Sequence, residues 1–415
     1  MLPEARFPEP VMRVLTTLQE AGYPTYLVGG SVRDLLRGVA PKDFDLATAA
    51  LPEQVQACFR RVLPTGLQHG TVTVLLNGHH VEVTTFRSEG RYLDGRRPSE
   101  IAFHDDVEAD LARRDFTINA MAYDPRAKRL VDPFDGRGDL LRHLVRCVGE
   151  PSERFGEDGL RVVRAVRIAT VLEFELDGPT EAAISGALGT FDRIARERIT
   201  EELVKLLHAP RADRGLRLLR RTGLTRTIFG DGALEDAPEI DHAVALCPPE
   251  LEGRLALWLG LGQRGASVPA LMDRLVLSRR SQDAVKRLSG RLRLAELAEA
   301  PDGALRRVLA AHPAEEIPMV AEVGRAAAPV LGLDPVAAVT AGTRLQDLLA
   351  ADPPLQPRDL ALDGAAIMRV LAIPPSRKVG EATRFLMDQV LDEPSLNTEA
   401  GLTALLGRFA EGAPR

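Results

Sequence analysis

The chain has 415 residues, of which 45% are hydrophobic and 27% charged, with a net charge of −6. That composition suits a folded protein of about two to four domains. It excludes a chain coated in nucleic acid, although not one with a local basic surface. No stretch approaches the roughly 20 uninterrupted apolar residues of a membrane helix, and the start has neither the basic residues nor the apolar core of a secretory signal. The three cysteines (Cys58, Cys147 and Cys247) form no disulfide framework and no CxxC knuckle. A cytoplasmic protein with no membrane contact and no obligate protein partner is expected.

From about residue 24 to 140 short strands mix with helices. "TYLVGG" (25–30) reads as a strand entering a tight turn, "SVRDLLRG" (31–38) as a short helix closed by Gly38, and "DFDLAT" (43–48) as the next strand. "TVTVLLNGHHVEVTTFR" (71–87) has two alternating runs around Asn77-Gly78, a strong hairpin signal. His79 and His80 sit at that turn with no further ligand at metal spacing and are expected in an exposed loop. These features predict an α+β unit. Beyond about residue 150 apolar residues recur at helical spacing in "EDGLRVVRAVRIATVL", "ERITEELVKLL" and "ADRGLRLLRRTG", and the rest reads as helices separated by Pro/Gly joints.

In a strand, residues i and i+2 share a face, about 6 to 7 Å apart. Asp43 and Asp45 should therefore project together, with Phe44 turned to the core. Two such carboxylates repel unless a cation lies between them or one is protonated. Hard oxygen donors suit Mg²⁺, which binds through one or two carboxylates plus phosphate, and a pair of ions can serve both the attacking and the leaving oxygen. Glu82, on the alternating strand expected beside the first, is the candidate third ligand. Gly29 and Gly30 allow close backbone approach, a helix starting at Ser31 offers free N–H groups to a phosphate, and Arg33 adds a fork of donors.

"ARRDFTINAMAY" (112–123) places Arg113, Arg114 and Asp115 ahead of an apolar helical stretch. The arginines can hold phosphates and Asp115 can accept from ribose hydroxyls or cap the helix, while Asn119 is expected to fix the local backbone. "DPFDGRGDL" (132–140) is a turn-rich connector. In "EDGLRVVR" (157–164), Asp158, Arg161 and Arg164 would share a helical face. A carboxylate accepting from an exocyclic amine, next to a guanidinium donating to ring atoms, can read a base edge; an i,i+3 ion pair is the alternative. The polar segment 88–106 is a long loop of the functional kind. Two basic stretches could track phosphates: Arg214, Arg217 and Arg221 on one helical face, and the cluster Arg279, Arg280, Lys286, Arg287 and Arg291.

The motifs "GGSVRD…KDFDLAT", "RRDFTINAMAYDP", "VDPFDGRGDL", "EDGLRVVRAVRIA" and "ERITEEL" occur in the order found in the bacterial and eukaryotic class of tRNA CCA-adding nucleotidyltransferases. That class also includes bacterial poly(A) polymerases and lies within the polymerase-beta-like superfamily. The resemblance spans residues 29–203. It implies a catalytic head over 1–140, a base-selecting helical neck over 141–210, a helical body over 211–345 and a tRNA-binding tail over 346–415. The implied reaction is template-independent addition of C, C and A to the 3′ end of tRNA from CTP and ATP, with pyrophosphate released and two Mg²⁺ ions on Asp43, Asp45 and Glu82. Ribose selection falls to Asp115 with Arg114, and the nucleotide site comprises Gly29, Gly30, Ser31, Arg33, Asn119, Asp158, Arg161 and Arg164, with Asp158 and Arg161 acting as an amino-acid template. The resemblance makes 132–140 a joint for domain reorientation, 88–106 the loop that favours adding the final A, and the segment around Lys378 a contact toward the tRNA elbow. The alternatives are a poly(A) polymerase or an A-adding-only enzyme of the same family. A catalytically dead relative would need a broken carboxylate pair, and a small-molecule nucleotidyltransferase would not need the helical half.

Overall fold

The computed structural model describes residues 7–89, 101–235 and 237–412. The chain divides into two compact units, Met1–Asp231 and Gly232–Arg415. The first contains a seven-stranded sheet. Its strands are β1 (Thr25–Val28), β2 (Asp45–Thr48), β3 (Val62–Gly66), β4 (Thr71–Leu76) and β5 (His79–Thr85), then β8 (Ala122–Asp124) and β9 (Arg129–Val131), in the order β3-β4-β5-β2-β1-β8-β9. A separate ribbon pairs β6 (Arg87–Glu89) with β7 (Ile101–Phe103). Within the large sheet β2 and β5 run parallel, while the neighbouring pairs are antiparallel.

Alternation decides which face is dry. Val72, Val74, Val81 and Val83 are buried, whereas Glu82 between them is exposed. Helix α1 (Glu9–Glu20) buries Val11, Val14, Leu15 and Leu18, the spacing of a helix with one apolar stripe. The β4–β5 hairpin turns at Asn77 (φ 49°) and Gly78 (φ 78°), both in the left-handed region that a two-residue primed turn requires. His79 and His80 are exposed as expected but belong to β5, paired with Leu76 and Leu75 rather than lying in a loop.

The remaining helices of this unit are α2 (Gly30–Leu36), α3 (Pro52–Cys58), α4 (Val107–Ala112), α5 (Gly136–Leu141), α6 (Pro151–Glu157), α7 (Leu160–Leu172), α8 (Gly178–Gly186), α9 (Leu188–Phe191), α10 (Arg196–Leu207), α11 (Ala212–Arg221) and α12 (Leu224–Phe229). Helix α7 is buried along most of its length and packs on α10 and α11. The expected head, the neck and residues 211–231 thus form one compact unit, and the 140/141 joint falls inside α5.

The described residues of the second unit form helices and short turns. A helix over Pro335–Ala350 runs through the expected body–tail joint at 345/346. Beyond it, Leu360, Ile367, Leu386, Val390, Leu402 and Leu406 build a core of their own.

Candidate active site

A cleft of about 560 Å³ opens in the first unit, between the sheet and the α6–α7 region. On the sheet side it begins at the β1–α2 turn. Gly29 has φ +71°, and a Cβ there would lie 3.0 Å from an Arg114 nitrogen, so both conformation and space call for glycine. Arg33 borders the cleft, its Nη1 donating to Asn119 Oδ1 at 2.8 Å and its Nε to Asp34 at 2.9 Å. The helix expected to start at Ser31 starts one residue earlier, at Gly30, with Ser31 in its first turn. The Ser31 hydroxyl is buried and donates to the Val28 carbonyl at 2.9 Å, closing the turn from below.

The carboxylate pair also differs from expectation. β2 starts at Asp45, so Asp43 is an exposed residue ahead of the strand and Phe44 is only half-buried. Asp45 stands directly opposite Glu82 in the parallel β2–β5 register, and both line the cleft. Although Asp45 opens onto solvent, the protein around it raises its pKa by burial; Arg114 opposes this and Asp43 adds to it. Glu82 is raised by burial, then by the charges of Asp45 and Asp43. Among the described residues no three His, Cys, Asp or Glu side chains already converge as a metal cage. The donor set nevertheless fits a hard divalent cation, because oxygen-only carboxylates that repel one another gain most from one.

The far wall is held together by arginine–carboxylate pairs. Asp110, in the first turn of α4, is fully buried and accepts from Arg113 (2.9 and 2.8 Å) and Arg114 (3.2 Å). Burial alone would raise its pKa, but the two guanidinium groups outweigh burial and hold it low. "FTIN" forms a buried 3₁₀ turn, Thr117–Asn119, rather than the start of a helix. Asp115 accepts from the Phe116 N–H (2.8 Å) and Asn119 Nδ2 (3.2 Å), and from Arg164 Nε (3.0 Å) and Nη2 (2.6 Å). Here too burial opposes ionisation, and Arg164 overcomes it to bring the carboxyl well below its ordinary range. Asn119 therefore links Arg33 on α2 to Asp115 and so to Arg164 on α7.

Asp158 is not on a helix. It lies between α6 and α7 in an extended conformation, accepting from the Leu160 N–H at 3.0 Å and from Arg198 Nη2 at 3.0 Å. Arg161 borders the cleft but is buried: Nη1 donates to the Arg154 carbonyl at 2.9 Å and to Glu157, and Nη2 to the Arg113 carbonyl at 3.0 Å. The Asp158–Arg161–Arg164 row on one helical face is thus replaced by three residues with separate partners. Sequence reasoning missed Asp110, Arg198 and Glu202. Glu202 binds Arg167 at 2.7 Å, and Arg198 and Glu202 stand at i,i+4 in "ERITEEL", a spacing that marks one face of α10.

Segment 132–140 is densely bonded. Asp132 accepts from the Gly136 and Arg137 N–H groups (2.7 and 2.9 Å), and buried Asp139 accepts from Thr117 (2.6 Å), Arg142 (2.7 Å) and Arg146 (2.9 Å). It braces the turn that carries Asp115 and Asn119. Of the loop 88–106, residues 90–100 lie outside the described residues.

The basic residues divide. On α11, Arg214 is bonded to the Phe174 carbonyl (3.2 Å) and Glu175 (2.5 Å), Arg217 lies 3.5 Å from Asp213, and Arg221 lies 2.6 Å from Glu181. Each thus has a carboxylate neighbour within the unit, although Arg217 and Arg221 stay exposed. In the second unit Arg279, Arg280 and Lys286 are exposed on the helix Arg279–Ser289, whereas Arg287 is held by Glu316 (Nε at 3.0 Å). Lys378 is exposed in the first turn of the helix Arg377–Asp392.

Residues 25–146 match the Poly A polymerase head domain, and 173–242 match a region described as the probable RNA and SrmB-binding site of polymerase A. The CCA-adding enzyme of Lactobacillus johnsonii is 46% identical over 217 residues, covering 52% of this chain and 54% of the relative. That of Listeria monocytogenes is 47% identical over 221 residues, covering 53% and 55%. The aligned part of the chain thus spans about half the length of these curated relatives. The Thermotoga maritima CCA-adding enzyme complexed with tRNA shares the fold, with TM-score 0.68 at 19% identity and 97% of each chain covered. The crystal structure of the Bacillus stearothermophilus CCA-adding enzyme in complex with CTP superposes with TM-score 0.80 at 31% identity, over 98% of this chain and 99% of that one. With a relative of that identity matched along almost its whole length, the chain belongs to the CCA-adding enzyme family.

Proposed function

We propose that this chain adds C, C and then A to the 3′ end of tRNA, taking CTP and ATP and releasing pyrophosphate. The observation that carries the reading is the cleft itself. Two mutually repelling carboxylates, Asp45 and Glu82, stand in register beside a glycine turn and two arginines, opposite a wall of ordered acid–base pairs. In the reaction the tRNA 3′-hydroxyl loses its proton to solvent as its oxygen bonds to the α-phosphorus, and the bond from that phosphorus to the pyrophosphate oxygen breaks, the electron pair leaving with pyrophosphate. Arg33 and Arg114 are placed to hold the triphosphate, with Gly29 and Gly30 letting it approach the backbone. Asp115 accepts from the ribose hydroxyls. Asp43, Asp45 and Glu82 would hold two Mg²⁺ ions, which would acidify the 3′-hydroxyl and neutralise charge on the leaving pyrophosphate.

Base choice falls to Asp158 and Arg161. Cytosine and adenine each present an exocyclic amine beside a ring nitrogen, whereas uracil and guanine present a carbonyl at the corresponding position. A carboxylate oxygen has spare lone pairs, so Asp158 can keep Arg198 while accepting from the amine. A carbonyl facing that carboxylate oxygen has no hydrogen to donate to it. The test is to incubate the protein with Mg²⁺, CTP and ATP and tRNA transcripts ending at the discriminator base, after one C and after two C residues, then sequence the 3′ ends. Arrest at CCA on all three is expected. A single A on the CC-ending transcript alone would instead make it an A-adding enzyme, and long A tails on unrelated RNA a poly(A) polymerase.

A further inference from the structure

Within residues 279–293 of the helical unit, the arginines have unequal surroundings. Arg287 is closed by Glu316, and Arg293 donates to Glu296 at 2.8 Å. Arg291 is half-buried and, among the described residues, meets no carboxylate. Its Nε donates to His312 Nε2 at 3.2 Å. Because that nitrogen accepts, the ring proton sits on Nδ1, which faces Glu316 at 2.9 Å. His312 is therefore neutral and cannot balance Arg291. Burial pulls the Arg291 pKa down and no partner charge opposes it.

Arg291 borders a cleft of about 470 Å³ that is also lined by Gly260, Ser289, Gly290, Arg293 and Leu331. Glu296, the one acid among the lining residues, is already held by Arg293. A half-buried guanidinium without a counter-ion is unfavourable in the free protein, which points to a ligand that brings the anion. With Nε tied to His312, the outer N–H groups are left as a fixed fork, the arrangement that suits a phosphate better than a lone ammonium does. The helix before it exposes Arg279, Arg280 and Lys286, so a polyanion gains more from this surface than a single free ion does.

We propose that Arg291, in the helical unit, is an anchor for a backbone phosphate of the RNA substrate. This rests on the reading that the chain extends tRNA. The test uses the full chain and a tRNA transcript lacking CCA, with affinity measured over a series of salt concentrations. Arg291→Met should weaken binding roughly tenfold and reduce the slope of log affinity against log salt by about 0.7 to 0.9, one phosphate contact. Its melting temperature should equal or exceed the parent's, because an uncompensated charge has been removed. Arg291→Lys keeps the charge and should keep the slope.

Unchanged affinity and slope in Arg291→Met, while the parent still extends tRNA, overturns the anchor alone. Equal loss of melting temperature and affinity in the Met and Lys variants makes Arg291 structural and overturns it too. If inorganic phosphate stabilises the parent but not Arg291→Met, with tRNA affinity equal, the site holds free anion and the RNA assignment fails. A parent that binds no tRNA removes the functional reading and the anchor with it.

Discussion

At the sheet end of the cleft, Asp45 and Glu82 face each other across β2 and β5, and burial raises both pKa values, helped at Asp45 by Asp43 and at Glu82 by Asp45 and Asp43. At the helix end, Asp115 and Asp158 each meet a guanidinium, from Arg164 and Arg198. At one end the carboxylates are raised by burial and by neighbouring negative charge; at the other they are preorganised by the protein's own guanidinium groups. The two ends should therefore respond oppositely to losing a carboxylate.

The largest effect is expected at the sheet end. Asp45→Asn should reduce single-turnover C addition by about a thousandfold or more, the scale of losing a group that stabilises transition-state charge. Its melting temperature should not fall, and Mg²⁺ should stabilise the parent more than the variant; retained activity would remove the carboxylate pair from the chemistry. At the helix end, Asp115→Asn should cost about 2 to 3 kcal/mol of stability in denaturant unfolding, because Arg164 loses its counter-charge.

Three arginine-paired carboxylates set an acid limit. Asp110, Asp115 and Glu202 all have folded pKa values below their ordinary 3.8, 3.8 and 4.5. Their contribution is thus fully present above the unfolded values and is lost as pH falls through the folded ones. Stability should decline from about pH 4.5 downward, less steeply in Asp115→Asn, as unfolding at a series of pH values would show; equal slopes would contradict the pairing. Gly29→Ala should cost about 1 to 2 kcal/mol from its left-handed backbone and lower activity by displacing Arg114. The smallest effect is expected at Gly78→Ala, with the same sign of φ but open space around it: about 1 kcal/mol, with nucleotide addition unchanged in rate.

Local features were readable from residues alone. The Asn77-Gly78 turn, the Gly29 approach and the alternation that puts Glu82 on the open face all depend on neighbours within a few positions. The base-reading row was not readable in that way. A helix through Asp158, Arg161 and Arg164 is what periodicity suggests, yet the chain breaks at Asp158 and α7 starts at Leu160. Likewise the arginines of α11 look like a basic face until Glu175, Glu181 and Asp213 are placed beside them.

The sequence by itself determined the α+β head, the helical remainder and the residue types of the cleft, because strand alternation, helix period and turn geometry are short-range properties of the backbone. Tertiary structure alone decided which charges are satisfied. Arg198 reaches Asp158 from 40 residues away, Arg164 reaches Asp115 from 49, and Arg291 is left beside a neutral histidine 21 residues on. Ion pairing depends on distance in space and on local burial, and neither is set until the elements have packed.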